Sequence, residues 1–145
     1  MTDYNHLNHT TWECKYHVVF IPKYRKKALF GKLRKQIGAV FHDLASRKDS
    51  KIEIGYIMKD HIHMLIEIPP KYSVSTVIGY LKGNSSRLMR KEFEYLRRRR
   101  EMWSVGYFVS SVGANESVIR RYIQYQEKQD LGQAVLVEEK KPRAK

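Results

Sequence analysis

The chain has 145 residues, 42% of them hydrophobic, which suits one compact domain with its own core rather than a disordered protein. Lysine and arginine number 28 against 15 acidic residues, and the formal net charge of +13 favours a polyanionic partner, nucleic acid before an anionic membrane surface. No apolar run approaches the roughly 20 residues of a membrane span, no signal-peptide pattern is present, and the single cysteine, Cys14, excludes an intrachain disulfide, so we expect a cytoplasmic protein.

The first half of the chain has the pattern of a strand, a helix and two further strands. Residues 11–21 alternate as a β-strand does, and the apolar positions between 30 and 47 follow helical spacing. Residues 51–59 and 61–68 alternate on either side of a short turn, which predicts a β-hairpin. The first strand of this hairpin is expected to carry on one face Ile52, Ile54, Tyr56 and Met58.

The second half has the pattern of a helix, a strand and a helix. Residues 73–93 carry apolar side chains at helical spacing, and residues 103–112 predict a fourth strand. Asn115 is a good N-cap for a third helix, which we expect to end near Gln129.

The predicted order is therefore β-α-β-β-α-β-α. Its first six elements follow the split ferredoxin-like motif, an α+β fold with an antiparallel sheet and two helices on one face. The last helix is an addition that is expected to lie on or near the sheet. We assign residues 1–130 to a single domain and residues 131–145 to a basic, mobile C-terminal tail.

Two histidines flank one apolar residue in the tripeptide His61-Ile62-His63, on a strand expected at the centre of the sheet. On a strand, residues i and i+2 point to the same face with Cα atoms roughly 6.5–7 Å apart. The two imidazoles can therefore converge on one divalent cation while Ile62 points into the core. Taken alone, the motif favours a half-exposed polar stripe.

The last predicted helix carries Tyr122 and Gln126 at positions i and i+4, which are offset by only about 40° around the helix axis. They present a phenol and an amide to the same place, while Val118, Ile119 and Ile123 can anchor the helix. In the alternative interpretation Tyr122 packs on the sheet and Gln126 is solvated.

Together, the His-apolar-His strand, the Tyr-x-x-x-Gln helix and the small basic chain resemble the HUH-class single-tyrosine transposases. These are the small TnpA-like enzymes of insertion sequences that move as single-stranded DNA. The resemblance extends from about Thr11 to Gln129. It includes Tyr-His-Val-Val-Phe-Ile-Pro-Lys-Tyr-Arg at 16–25, Val-Ile-Gly-Tyr-Leu-Lys-Gly at 77–83 and Gly-Tyr-Phe-Val-Ser-Ser-Val-Gly at 106–113.

The resemblance implies that His61, His63 and Gln126 bind a divalent metal, Mg²⁺ or Mn²⁺, and that Tyr122 is the nucleophile. It implies an enzyme that cleaves and rejoins single-stranded DNA at hairpin-marked element ends through a 5′-phosphotyrosine. It also implies a homodimer joined by sheet edges, with the tyrosine helix able to serve the partner's site and Gly113 as its hinge. Imidazole ligands suit Mn²⁺ better than Mg²⁺.

Basic side chains are the candidates for binding the DNA strand, and Tyr24, Tyr80 and Tyr95 lie among them as candidates for stacking on unpaired bases. In the alternative interpretation these charge runs are solvated faces. The candidates are Lys23, Arg25, Lys26, Lys27, Lys82, Arg87, Arg97, Arg98, Arg99 and Arg100.

Two other functions are compatible with the same sequence. The first is a host-adopted relative that cuts and joins its own repeat hairpins without mobility. The second is a non-catalytic protein that binds single-stranded nucleic acid on a ferredoxin-like sheet. Such a binder needs neither Tyr122 nor a metal site, whereas the enzyme needs both.

Overall fold

A computed structural model gives the fold of the chain. It describes residues 5–7, 10–23, 29, 31–58, 60–97, 101–113, 116–129 and 134–137, and the side chains that it describes lie between residues 12 and 125. The strands are β1 (Asn5–Leu7), β2 (Thr10–Trp12), β3 (Lys15–Phe20), β4 (Lys51–Ile57), β5 (Ile62–Glu67), β6 (Phe108–Ser111) and β7 (Ala134–Val137). The helices are α1 (Gly31–Arg47), α2 (Val74–Glu92), α3 (Glu94–Arg97) and α4 (Glu116–Gln129).

The main sheet has five strands in the order β6-β3-β5-β4-β7, and every neighbouring pair is antiparallel. This order confirms the predicted α+β ferredoxin-like fold, with the histidine strand β5 at its centre. The predicted first strand is divided, because Thr10–Trp12 pairs with β1 in a separate two-stranded sheet while Lys15–Phe20 joins the main sheet. No helix within the described ranges is long and apolar enough to cross a membrane.

The hydrophobic core lies between the sheet and helices α1 and α2. Alternate residues of the central strands point to these helices because side chains of a strand alternate faces, and Val18, Met64 and Ile66 are fully buried there. Both helices therefore pack on this face, which confirms the predicted pair of helices on one face. The N-terminus of α2 is capped by Ser73, whose Oγ accepts a hydrogen bond from the backbone N–H of Thr76 at 3.1 Å.

The opposite face of the sheet carries α4. Ile119 and Ile123 of this helix pack on a second, smaller apolar cluster that includes Ile54, Tyr56 and Leu65. The added helix thus packs on the sheet as predicted, on the face that α1 and α2 leave open. Tyr122 and the histidine strand are brought to the same side of the molecule by this packing.

The prediction that Ile52 shares a face with Ile54 and Tyr56 is wrong. A register shift between Ile52 and Ile54 places Ile52 opposite Ile66 and Ile54 opposite Leu65, so Glu53 is an extra residue in β4. Such a β-bulge changes the face on which the following residues lie. Ile52 therefore packs in the core against the helices, whereas Ile54 and Tyr56 face α4.

The predicted fourth strand is shorter than expected. Residues 103–107 leave the sheet, and Trp103 makes only an isolated bridge to Pro22. The Lys82 Nζ donates hydrogen bonds to the carbonyls of Ser104 and Gly106, both at 2.7 Å, and Gly106 has a positive φ of 88°. In this segment the hydrogen bonds from Lys82 and the positive φ of Gly106 take the place of the backbone hydrogen bonds of a strand.

Residues 134–137 form β7, which pairs with the edge of β4. The sequence analysis assigned these residues to a mobile tail, and the structure differs from that prediction over this segment. Three of the four residues are valine or leucine, and an unpaired strand edge accepts such a segment readily. Asn115 and residues 138–145, including the basic end of the tail, lie outside the described residues.

An ion-pair cluster fastens the start of α4 to the sheet. The Lys15 Nζ of β3 lies 2.6 Å from Glu116 Oε1 and 3.3 Å from Glu53 Oε2, and Arg120 of α4 also pairs with Glu53. Burial acts to lower the pKa of Lys15, but its pairing with Glu116 and Glu53 outweighs this and raises the pKa above its usual value. The lysine therefore stays charged and joins two strands to the helix.

We predict that Lys15→Met loosens α4 without unfolding the sheet. The change removes the charge that joins Glu116 to Glu53, and partly buried pairs of this kind stabilise by roughly 1–2 kcal/mol. Hydrogen exchange of the α4 amides should accelerate about tenfold or more, with little change in β5. Lys51→Met, at an exposed lysine of β4, is the matched control. Unchanged exchange in α4 would contradict the anchoring role.

Candidate active site

A cleft of about 480 Å³ lies between the sheet and α4. It is open on the same face of the sheet as the smaller apolar cluster, so its floor is formed by strands and one wall by the helix. Its lining residues are His17, Val19, His61, His63, Phe108, Ser110, Ile119 and Tyr122.

The two histidines of the His-Ile-His motif meet at this cleft. His63 lies on β5 and is 2% exposed, His61 immediately precedes the strand, and their ring centroids are 4.9 Å apart. Ile62 is fully buried in the core on the other side of the sheet. The predicted division of this strand into a histidine face and a core face is therefore present in the structure.

Hydrogen bonding orients both imidazoles. The Nδ1 of His61 lies 2.8 Å from the Oδ1 of Asp60, a carboxylate contact that leaves Nε2 at the far side of the ring. Metal-binding histidines commonly hold such a carboxylate partner, which fixes the tautomer of the ring. The Nε2 of His63 lies 3.4 Å from the sulfur of Met58, a weaker contact from the start of the hairpin turn.

Tyr122 brings its phenol to the same cleft from α4. Its ring centroid lies 6.0 Å from that of His63, and the side chain is 49% exposed, so a polymer strand can approach it. Tyr125 lies on the same helix but does not line the cleft. Gln126 follows Tyr122 by one helical turn, and its side chain lies outside the described residues, so its predicted role stays a prediction.

His17 is a residue of this cleft that the sequence analysis did not select. Because β3 pairs with β5, its ring lies 5.8 Å from that of His63 and 6.3 Å from that of Tyr122. It is 9% exposed, and its Nε2 is buried without a hydrogen-bond partner. Burial lowers the pKa of His17 below its usual 6.5, which favours the neutral imidazole. In the sequence, the alternation of β3 places His17 on the face opposite the core. This signal could have identified His17 as a candidate site residue.

The two imidazoles of His61 and His63 fit a catalytic metal site better than a structural one. In the described part of the chain, no group of three or more His, Cys, Asp and Glu side chains is arranged to hold a metal ion. A cation at His61 and His63 would therefore need further ligands, such as an amide, water or a substrate phosphate. Sites with open positions are typical of metals that take part in reactions.

The basic residues that were predicted to bind DNA have different environments. Lys82 is held by the two carbonyls of the 104–106 segment, and burial lowers its pKa. Arg87 is exposed and lies with Lys82 at a second cavity of about 290 Å³. Lys23 lies 3.7 Å from Glu101, and Arg97 donates to the carbonyl of Lys91.

The other members of the basic set lie outside the described residues, as does Tyr24. These members are Arg25, Lys26, Lys27, Arg98, Arg99 and Arg100. Of the other two tyrosines, Tyr95 is 43% exposed, whereas the ring of Tyr80 has the Lys48 ammonium 4.7 Å from its centroid. Tyr95 is therefore accessible to an unpaired base, and Tyr80 already has a cationic neighbour.

Comparison with known proteins identifies the family. A family model described as "Transposase IS200 like" matches residues 10–126. The chain belongs to the IS200-like transposases. It is 46% identical over 133 residues to the transposase of insertion sequence IS200 from Salmonella typhimurium, covering 90% of this chain and 88% of the relative. It is also 25% identical over 119 residues to the ISDra2 transposase TnpA of Deinococcus radiodurans, covering 79% and 85%.

Solved structures share the same fold. A candidate transposase from Deinococcus radiodurans superposes with a TM-score of 0.71 at 23% identity, covering 87% of this chain and 98% of that one. A REP-associated tyrosine transposase bound to a REP hairpin superposes with a TM-score of 0.57 at 12% identity, covering 86% and 70%. The family assignment thus agrees with the fold and confirms the resemblance drawn from the sequence. DNA binding, recombination and transposition are the activities of this family.

We predict that His17 makes the stability of the protein depend on pH. Because its pKa is lowered in the folded state, the folded protein resists protonation of this ring, whereas the unfolded chain takes up a proton below about pH 6.5. The contribution is present above that pH and is lost as the pH falls through the folded pKa. The melting temperature of the wild type should therefore fall more between about pH 7.5 and 5 than that of His17→Phe. Parallel pH profiles would contradict this.

Proposed function

We propose that this transposase is a metal-dependent enzyme that cleaves and rejoins single-stranded DNA through a tyrosine nucleophile. The observation that carries the proposal is the position of Tyr122, whose ring lies 6.0 Å from that of His63 in a cleft that His61 also lines. A packing role alone does not account for a tyrosine that is half exposed beside two oriented imidazoles.

The proposed step exchanges one phosphodiester for another. The phenolic oxygen of Tyr122 attacks the phosphorus, the bond to the 3′ oxygen breaks, and the leaving 3′-hydroxyl gains the proton that the phenol loses. The product is a 5′-phosphotyrosine. Another 3′-hydroxyl can attack its phosphorus and release the tyrosine, so no nucleotide cofactor is consumed. Because a free tyrosine has a pKa near 10, the attack requires a polarised phosphate.

His61 and His63 are the residues that would hold a divalent cation, Mg²⁺ or Mn²⁺, with the amide of Gln126 as a third ligand. When bound, the cation supplies Lewis-acid polarisation of the phosphate. Asp60 keeps the His61 ring oriented through its hydrogen bond to Nδ1. Two neutral imidazoles and an amide carry no charge, so they would leave the full charge of a bound cation for the phosphate.

The substrate that we propose is a single strand marked by a hairpin at the element end. The net charge of +13 favours a polyanion, and the solved relative with a TM-score of 0.57 is bound to a REP hairpin. Phe108, which lines the cleft and is 57% exposed, offers an aromatic face to an unpaired base near the scissile phosphate.

We also propose that the enzyme acts as a homodimer. Strand β6 is an edge of the main sheet, and its Phe108 and Val109 are exposed, so a second copy can extend the sheet there. Gly113 is exposed and lies just before α4, where a change in backbone direction would move Tyr122 towards the partner's histidines. With the helix turned in this way each cleft would draw its tyrosine from the other subunit, whereas in the structure Tyr122 lies in the cleft of its own subunit.

The second candidate is a non-mobile relative that acts on repeat hairpins, since the chain shares its fold with a REP-associated transposase. The 46% identity to an insertion-sequence transposase favours the mobile element. A non-catalytic binder of single strands remains the third outcome of the experiments below, and it would form no covalent product.

We predict that Tyr122→Phe abolishes the covalent DNA adduct while hairpin binding stays within about twofold. The change removes only the attacking oxygen, and affinity derives mainly from phosphate contacts. The measurement is an SDS-resistant adduct between labelled hairpin DNA and protein with Mg²⁺ or Mn²⁺. Tyr125→Phe is the matched control on the same helix and should keep the adduct. A full adduct with Tyr122→Phe, or in EDTA, would overturn the nucleophile or the metal.

We predict that two inactive variants, Tyr122→Phe and His63→Ala, regain cleavage when they are mixed. If α4 acts on the partner, a mixed dimer contains one complete site and should recover up to about a quarter to a half of the wild-type activity, depending on exchange. His61→Ala is a second partner variant in case the buried His63 is needed for folding. Inactive heterodimers, confirmed by mass spectrometry, would show that each subunit uses its own tyrosine.

A further inference from the structure

The proposed reaction assigns no role to His17, although His17 is the most enclosed polar group of the cleft after His63. Its ring packs among those of His63, Tyr122 and Phe108 at centroid distances of 5.8, 6.3 and 6.0 Å. The Nε2 atom is buried and has no hydrogen-bond partner. The residue therefore lies where the proposed reaction occurs, with an unused polar atom.

A buried polar atom without a partner destabilises a folded protein, and such atoms are rare unless a function retains them. Packing alone does not require a nitrogen here, because a phenylalanine would make comparable ring contacts without that cost. The missing partner is therefore expected among the molecules that enter the cleft.

Three groups could satisfy the Nε2 atom: a metal ion, the Tyr122 phenol or a phosphate oxygen of the DNA. In the proposed function the cation takes His61, His63 and Gln126 as its protein ligands, so His17 is not required as a ligand. The tyrosine contact is edge-to-face between the rings, at an interplanar angle of 78°. A phosphate that lies between Tyr122 and the histidine pair would come next to His17, because its ring neighbours both groups.

We infer that His17 is a further catalytic residue, whose Nε2–H donates a hydrogen bond to a non-bridging oxygen of the scissile phosphate. The inference rests on the proposed function for the position of that phosphate. A neutral imidazole is suited to this role, because it offers one N–H donor without placing a second charge beside the metal ligands. Such a donor stabilises the phosphate as negative charge develops on its oxygens in the transition state.

Two variants separate hydrogen bonding from packing. His17→Phe keeps an aromatic ring of similar shape and removes the donor, while His17→Gln places an amide nitrogen near the original Nε2. Single-turnover cleavage should slow by roughly 10–100-fold in His17→Phe, while the affinity for the DNA strand stays nearly unchanged. His17→Gln should recover at least about tenfold of that loss. Equal losses in the two variants, or wild-type cleavage by His17→Phe, would overturn the inference.

Sulfur substitution at the scissile phosphate locates the contact. Sulfur is a poorer hydrogen-bond acceptor than oxygen, so one phosphorothioate diastereomer should slow the wild type. If His17 donates to that oxygen, the same diastereomer should cause little additional slowing in His17→Phe. Slowing by the same factor in both proteins, for both diastereomers, would show that His17 does not contact the non-bridging oxygens.

A binding measurement keeps this inference separate from the proposed function. In Tyr122→Phe protein, the ¹⁵N signal of His17 Nε2 should shift and its proton should exchange more slowly when hairpin DNA is added, whereas the His42 ring on α1 should not respond. If the wild type forms no adduct but this shift occurs, the proposed reaction fails and the contact stands. If the adduct forms without the shift, only the His17 contact is overturned. If neither the adduct nor the shift is observed, both the proposed reaction and the His17 contact are overturned.

Discussion

The central strand β5 is buried on both faces, and the rest of the structure depends on that constraint. Met64 and Ile66 point into the core against α1 and α2, while His63 and Leu65 point to the side of α4. Because neighbouring strands hold β5 on both sides, His63 cannot turn without disturbing the sheet. His63 is therefore presented by a central strand that is paired on both sides, and His61 immediately precedes that strand.

The helix with the candidate nucleophile is attached in a contrasting way. Few apolar side chains hold α4, chiefly Ile119 and Ile123, and the ion pairs of Lys15, Glu53 and Arg120 fasten its first half. Val118, Tyr122 and Tyr125 remain exposed on the same helix. Apolar contacts of this extent stabilise less than a full core interface. Within the described residues, His63 thus lies on a strand that is buried on both faces, whereas Tyr122 lies on a helix with fewer apolar contacts.

The cleft places two imidazoles at buried positions, where a polar atom that lacks a hydrogen-bond partner destabilises the fold. His17 and His63 occupy positions that are as buried as core residues, and desolvation lowers the pKa of His17. Proteins commonly retain such unfavourable groups at functional sites. The β-bulge at Glu53 belongs to the same region, because it turns Ile54 and Tyr56 towards α4 and leaves Glu53 as an ion-pair partner for that helix.

Hydrophobic periodicity determined the order of the elements, because the spacing of apolar residues depends only on local geometry. It also determined that His61 and His63 share a face and that Ile62 lies in the core, since alternation is inherent to a strand. Tertiary structure decided the rest. The bulge between Ile52 and Ile54, the pairing of 134–137 with β4 and the entry of His17 into the cleft all depend on contacts between residues distant in sequence. Alternation places His17 on the face opposite the core, but only the pairing of β3 with β5 brings it beside His63 and Tyr122.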